Sequence, residues 1–163
     1  MTMTASLVDI PVRLDFDQLV PQFSRAVASL DHAATRELDR AGVEPALREL
    51  VRLRASQLNG CAYCVDLHSK DARTAGVAEQ KLHALAVWQD SALFTAAERA
   101  ALDFTESVTR LSETHVPEVL VDHARAELGE ERLAALLTLV IAINVWNAIG
   151  VTARCWPVHR DAA

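Results

Sequence analysis

The chain has 163 residues, of which 51% are hydrophobic, 23% charged and only 5% aromatic, with a formal net charge of −6. That length suits one domain with a sizeable core, and recurrent Ala, Leu, Val and Arg favour helix. Acidic and basic residues are interspersed, so no basic stripe points to a nucleic-acid partner and no acidic block to a disordered tail.

The first stretch, MTMTASLVDIPVRLDF, has neither the basic nor the apolar region of a signal peptide. Three cysteines without an export signal point to a reducing compartment, so a cytoplasmic location is expected. From Asp17 to Arg40 the pattern reads as one or two helices, with Val20, Phe23, Val27 and Leu30 on one apolar stripe. Gly42 breaks it. Pro45 suits the first turn of a helix running to Asn59, with Leu47, Leu50, Val51 and Leu58 as its stripe. Asn59-Gly60 is a stop signal.

The next helix is expected from near Cys61 to Ala75, ended by Gly76, and another over about Glu79–Gln89. Thr95 and Glu98 form a capping box opening a helix to about Ser112. Pro117 opens and Gly129 closes a sixth helix. In the last, Leu133, Leu136, Leu137, Val140, Ile141 and Val145 fall on one side at helical spacing. The run Leu133–Val151 is long enough to span a bilayer. Asn144 and Asn147 interrupt it and no basic cluster flanks it, so a buried core helix and no membrane association are expected. The fold class is therefore all-α: a single compact domain of about seven helices over residues 1–163.

The chemistry concentrates in NGCAYCVDLHSKDAR, from Asn59 to Arg73. Cys61 and Cys64 are three apart, Cys64 and His68 four apart, so all three can share one helix face. A first-turn position favours the thiolate, the reactive form of cysteine, and His68 can accept a proton from Cys64. Glu49, on the preceding helix, is a candidate to orient that histidine if the two helices fold back on each other. A zinc half-site and a structural disulfide are weaker alternatives. Zinc wants four ligands and only Cys155 and Glu49 remain to complete the set, while a disulfide inside one turn constrains the unfolded chain little. Asp66 and Lys70 read as a solvated i,i+4 pair, Cys155 as a small buried hydrophobe, and Trp88 and Trp146 as core or interface residues. His32, His83, His115, His123 and His159 read as structural or surface residues. Asn144 and Asn147 need partners if buried.

Glu49, Cys61-Ala62-Tyr63-Cys64 and His68 together resemble the AhpD-like alkylhydroperoxidases of the carboxymuconolactone decarboxylase superfamily. The likeness extends to RASQLNGCAYCVDLHSKDAR, to LFTAAERAALDFTESVT and to INVWNAIGVTAR, within a core motif region of 45–155. It implies an AhpD-like helical fold and a homo-oligomer, trimer or hexamer. It also implies a thiol-dependent peroxidase needing no cofactor and no metal. Cys64 would attack the peroxide, Cys61 would resolve the resulting sulfenic acid as a Cys61–Cys64 disulfide, Glu49 and His68 would relay protons, and an external dithiol or protein reductant would restore the pair. The best-studied branch carries a histidine where this chain has Tyr63, whose phenol cannot act as a base at neutral pH but can donate a hydrogen bond. The same cysteine pair would also serve a general thiol-disulfide oxidoreductase or a redox-sensing oligomer.

Overall fold

The computed structural model describes residues 8–158; His159 lies outside them. Among the described residues the chain forms nine α-helices and no strand. They are α1 (Phe16–Leu19), α2 (Pro21–Arg40), α3 (Pro45–Asn59), α4 (Ala62–Thr74), α5 (Glu79–Ala84), α6 (Ala96–Thr109), α7 (Leu111–Thr114), α8 (Glu118–Leu128) and α9 (Glu130–Ala153). The count exceeds the expected seven because two single-turn helices, α1 and α7, are separate elements. The helix expected to reach Gln89 stops at Ala84 and continues as a 3-10 segment, Leu85–Asp90, where Val87 leaves helical geometry. The helix expected to reach Ser112 breaks at Arg110.

The boundaries of the central elements follow local chemistry. Pro45 sits at the start of α3, where its missing N–H costs nothing. Gly60 ends that helix in the left-handed conformation, φ 71°, a region that suits glycine best. Thr95 and Glu98 exchange the two bonds of a capping box at the start of α6.

Helix α3 is the axis of the molecule. It packs against α4, α6 and α9, and α9 packs in turn against α2, α4, α6 and α8. One apolar cluster joins Leu38, Val51, Phe104, Leu136 and Val140 from α2, α3, α6 and α9. A second joins Leu50, Leu53, Ala72, Leu85, Trp88 and Leu102 on the other side of α3. Helix α3 is thus buried nearly all round from Glu49 to Ser56, and a helix so enclosed must satisfy its polar side chains internally. It does so in three places. Glu49 reaches α4, Arg54 Nε donates to Glu106 on α6 at 2.7 Å, and Ser56 Oγ accepts from Asn147 on α9 at 3.1 Å.

The apolar stripes are only partly covered. Of Val20, Phe23, Val27 and Leu30, only Val27 is buried; Phe23 remains 56% exposed. On α9, Leu133, Leu136 and Val140 are buried while Leu137 and Ile141 face outward. Helix α9 has the length and apolarity to cross a membrane, and lies against five other helices.

Candidate active site

The Asn59-Gly60 turn folds α4 back along α3. The amide of Cys61 donates to Ser56 O at 3.1 Å, and Cys61 itself caps α4, its Sγ accepting from the Cys64 amide at 3.4 Å. Cys61 is therefore the N-cap rather than a residue of the first turn, a position where a side-chain acceptor meets unpaired helix N–H groups. Cys61 and Cys64 are joined by a disulfide, and both are buried, at 1% and 2% exposure.

One turn beyond Cys64 on α4, His68 Nδ1 lies 2.9 Å from Glu49 Oε2. A carboxylate only accepts, so Nδ1 carries the hydrogen and a neutral ring leaves Nε2 as the basic nitrogen. Burial pushes the Glu49 carboxyl up, but the bonds and charges of His68 and Arg52 outweigh it and hold Glu49 below the ordinary carboxylate range. The expected pairing of Glu49 with His68 across the helix hairpin is thus present in the fold.

Cys64 and His68 both open onto a cavity of about 460 Å³, within the size range of small-molecule sites. Its walls are apolar in part: Leu67 from α4, Ile143 and Trp146 from α9, and Trp156 beyond α9. Tyr63 also lines it, 37% exposed and tilted against Trp156 at 5.6 Å between ring centroids. Trp156 packs edge-on against Trp146 at 5.5 Å, and its Nε1 donates to Asp17 Oδ2 at 2.8 Å. Asp17, Asp31, Arg52 and Asp71 supply the charged part of the lining.

Sequence reasoning missed Arg52, Asp31, Asp17 and Trp156. Arg52 Nη1 donates to the second oxygen of Glu49 at 2.6 Å and its Nη2 stands 3.6 Å from Asp31. Its i,i+3 spacing from Glu49 was the available signal. The asparagines of α9 do have partners. Asn59 Nδ2 donates to Asn144 Oδ1 at 2.8 Å and to Asn147 Oδ1 at 2.9 Å, tying the turn before Cys61 to α9. Lys70 bonds Asp66 at 2.9 Å on the surface, as expected. Trp88 is core, and His32, His83, His115 and His123 are exposed. Cys155 is half-buried rather than fully buried, because its strand of chain runs along the surface beyond α9.

Glu49, His68 and Asp71 present ligand-type atoms within 4.8 Å of one another. Both Glu49 oxygens are already engaged, one by a guanidinium, which opposes a cation there.

The family model for the carboxymuconolactone decarboxylase family matches residues 21–107, from α2 through nearly all of α6. The chain belongs to this family. The uncharacterised Bacillus subtilis protein YdfG is 30% identical over 139 residues, spanning 85% of this chain and 92% of its own length. The uncharacterised Escherichia coli protein YnjA is 32% identical over 104 residues, 64% of this chain and 57% of its own. Among solved structures, a protein of unknown function from Agrobacterium tumefaciens, described as a candidate antioxidant defence protein, AhpD, superposes with a TM-score of 0.83. The two are 34% identical, and the match covers 91% of this chain and all of that one. The AhpD-like fold expected from the motif is thereby established, including α9, which lies beyond the family match.

Proposed function

We propose that this member of the family is a thiol-dependent peroxidase. The observation that carries the reading is the joint placement of a histidine bonded to a buried carboxylate and a cysteine of a C-x-x-C pair on one cavity. In the reduced protein, His68 takes the Cys64 proton. The thiolate attacks the distal peroxide oxygen, the O–O bond breaks, and the alkoxide leaves as alcohol with the proton from His68. The Cys64 sulfenic acid then condenses with the Cys61 thiol, releasing water and forming the disulfide. An external dithiol or protein reductant restores both thiols by exchange. Tyr63, on the cavity wall, donates a hydrogen bond to the reacting oxygen. The likeness to the Agrobacterium protein supports an antioxidant role.

The test is peroxide consumption by the purified protein supplied with a dithiol, with mass spectrometry of the peptide carrying Cys61 and Cys64. Cys64→Ser should abolish turnover, and Cys61→Ser should accumulate a sulfenic acid that dimedone traps. Undiminished turnover by Cys64→Ser would sink the assignment. Turnover of a protein disulfide faster than any peroxide would favour the general oxidoreductase.

The same reading includes a cytoplasmic protein that assembles with itself. The outward apolar side chains of α2 and α9, Phe23, Leu30, Leu137 and Ile141, supply a surface for a second copy. Sedimentation equilibrium should give a multiple of the chain mass, and Ile141→Glu should lower it. A monomer across the micromolar range would remove this part of the proposal.

A further inference from the structure

The proposed relay joins a carboxylate and a histidine. Here the carboxylate has a third party. Glu49 divides its two oxygens between partners on opposite sides: Oε2 meets His68 Nδ1 at 2.9 Å, and Oε1 accepts from Arg52 Nη1 at 2.6 Å. Arg52 is itself divided, with Nη2 3.6 Å from Asp31 on α2. The Arg52 side chain is only 14% exposed, and that of Asp31 27%, so this chain of charges is screened weakly by water. Arg52, Asp31, His68 and Cys64 all line the same cavity.

We propose that Arg52 is a positioning residue of the relay: it holds the Glu49 carboxylate ionised and oriented toward His68, and Asp31 sets how much of the Arg52 charge Glu49 receives. The inference rests on the peroxidase reading for its consequence, but its physical content concerns Glu49 alone.

The contact with Arg52 constrains the carboxylate in two ways. A carboxylate held by a histidine alone can rotate or take up a proton; a guanidinium at 2.6 Å on the second oxygen opposes both. The other charged groups near Glu49 are few. His68 and Asp71 come from α4, with Asp71 3.9 Å from His68 Nδ1, and Glu44 lies just before α3 in a shallow cavity shared with Glu49 and Asp71. From α9 the cavity receives Ile143 and Trp146, neither of which titrates. On the α6 side, Arg54 is paired with Glu106. Burial pushes the Glu49 carboxyl up; the His68 hydrogen bond opposes it, and Arg52 is the fixed positive charge that opposes it too.

The experiment follows the Glu49 carboxyl by carbon NMR in the reduced full-length protein, assigned through Glu49→Gln, together with peroxide kinetics at neutral pH. In Arg52→Gln the Glu49 titration should rise by about one pH unit, the order of an opposite-charge effect. In Arg52→Lys it should stay near that of the wild type. Asp31→Asn should move it the other way, downward, because Arg52 then serves Glu49 alone. Glu49 stays ionised at neutral pH even after such a rise, so the kinetics read orientation: Arg52→Gln should lower kcat by about tenfold or more with little change in KM, and Arg52→Lys should recover most of it. An unchanged Glu49 titration in Arg52→Gln would overturn the proposal. So would a raised KM at constant kcat, which would make Arg52 a substrate contact. If Arg52→Gln does not fold, Asp31→Asn decides: a downward shift supports the proposal and no shift overturns it. A wild type inert towards peroxide would remove the peroxidase reading while leaving the Glu49 titration to decide the role of Arg52.

Discussion

At the scale of single residues, the legible part of the site was the part carried on one helix. Cys61, Cys64 and His68 repeat at three and four residues, and Glu49 could be placed opposite them because Asn59-Gly60 marks where the chain turns back. Trp156 and Asp17 were not legible: both reach the cavity from short or irregular segments that no periodicity describes, held together by the Trp156–Asp17 bond. Gly150 was equally silent, yet it is tightly constrained. A Cβ there would lie 2.9 Å from Cys61 Sγ and 3.4 Å from the Trp156 ring. Within a helix, Gly→Ala normally gains about 1 kcal/mol, but forcing a methyl into a packed site costs about 1–3 kcal/mol. The contact should win: Gly150→Ala should melt a few degrees lower than the wild type and should displace Cys61 from its capping position, slowing reformation of the disulfide after reduction. A higher melting temperature with unchanged reoxidation would show that Cys61 turns aside freely.

At the scale of elements, helix starts and stops were readable wherever proline, glycine or a capping box supplied a local chemical reason, as at Pro45, Gly60 and Thr95. They were misjudged where the break comes from tertiary bonding. Thr114 Oγ1 donates to Ser107 O at 2.7 Å, so the chain after α6 is folded into the separate turn α7, which His115 and Val116 end at positive φ with no glycine to announce it. The attachment of α3 to α9 is of the same kind. Asn59 donates to Asn144 and Asn147 at once, and Asn147 donates on to Ser56. Asn59→Ala should lose about 2 kcal/mol, two neutral hydrogen bonds at about 1 kcal/mol each, which for a chain of this size is a fall of roughly 5 °C in Tm. Asn59→Asp should be worse than alanine, because it aims a carboxylate at two carbonyl oxygens. Hydrogen exchange at the Gly60 and Cys61 amides should quicken in both. If Asp is tolerated better than Ala, the bonds do not run as described.

At the scale of the whole molecule, the all-α class follows from composition and periodicity, but the central burial of α3 and how far each apolar stripe is covered do not. The stripe through Phe23 and Leu30 and the α9 face with Leu137 and Ile141 read in sequence like any core face, and periodicity cannot say whether a neighbouring helix or a second chain covers them. Burying charge at the centre makes stability depend on pH in a way that can be stated with its sign. Glu49 is held below its ordinary value in the fold, so its contribution is fully present above the unfolded value of about 4.3 and is lost as pH falls through the folded one. Asp103 on α6 runs the opposite way. It lies on the exposed face of that helix, where partial desolvation first, then the negative charge of Glu106, push it up against the pull of His123, so its ionised form costs a little stability at neutral pH and acidification relieves that cost. Glu49→Gln should therefore melt below the wild type at pH 7, by about 5 °C if the charged bonds contribute about 2 kcal/mol, and the gap should narrow below pH of about 4. Asp103→Asn should melt slightly above the wild type at pH 7 and converge with it on acidification. Thermal melts of the three proteins between pH 3.5 and 7.5 check both signs. A Glu49→Gln gap that stays constant across that range would mean that the fold draws no stability from the ionised carboxylate, and that its bonds to His68 and Arg52 serve the chemistry alone.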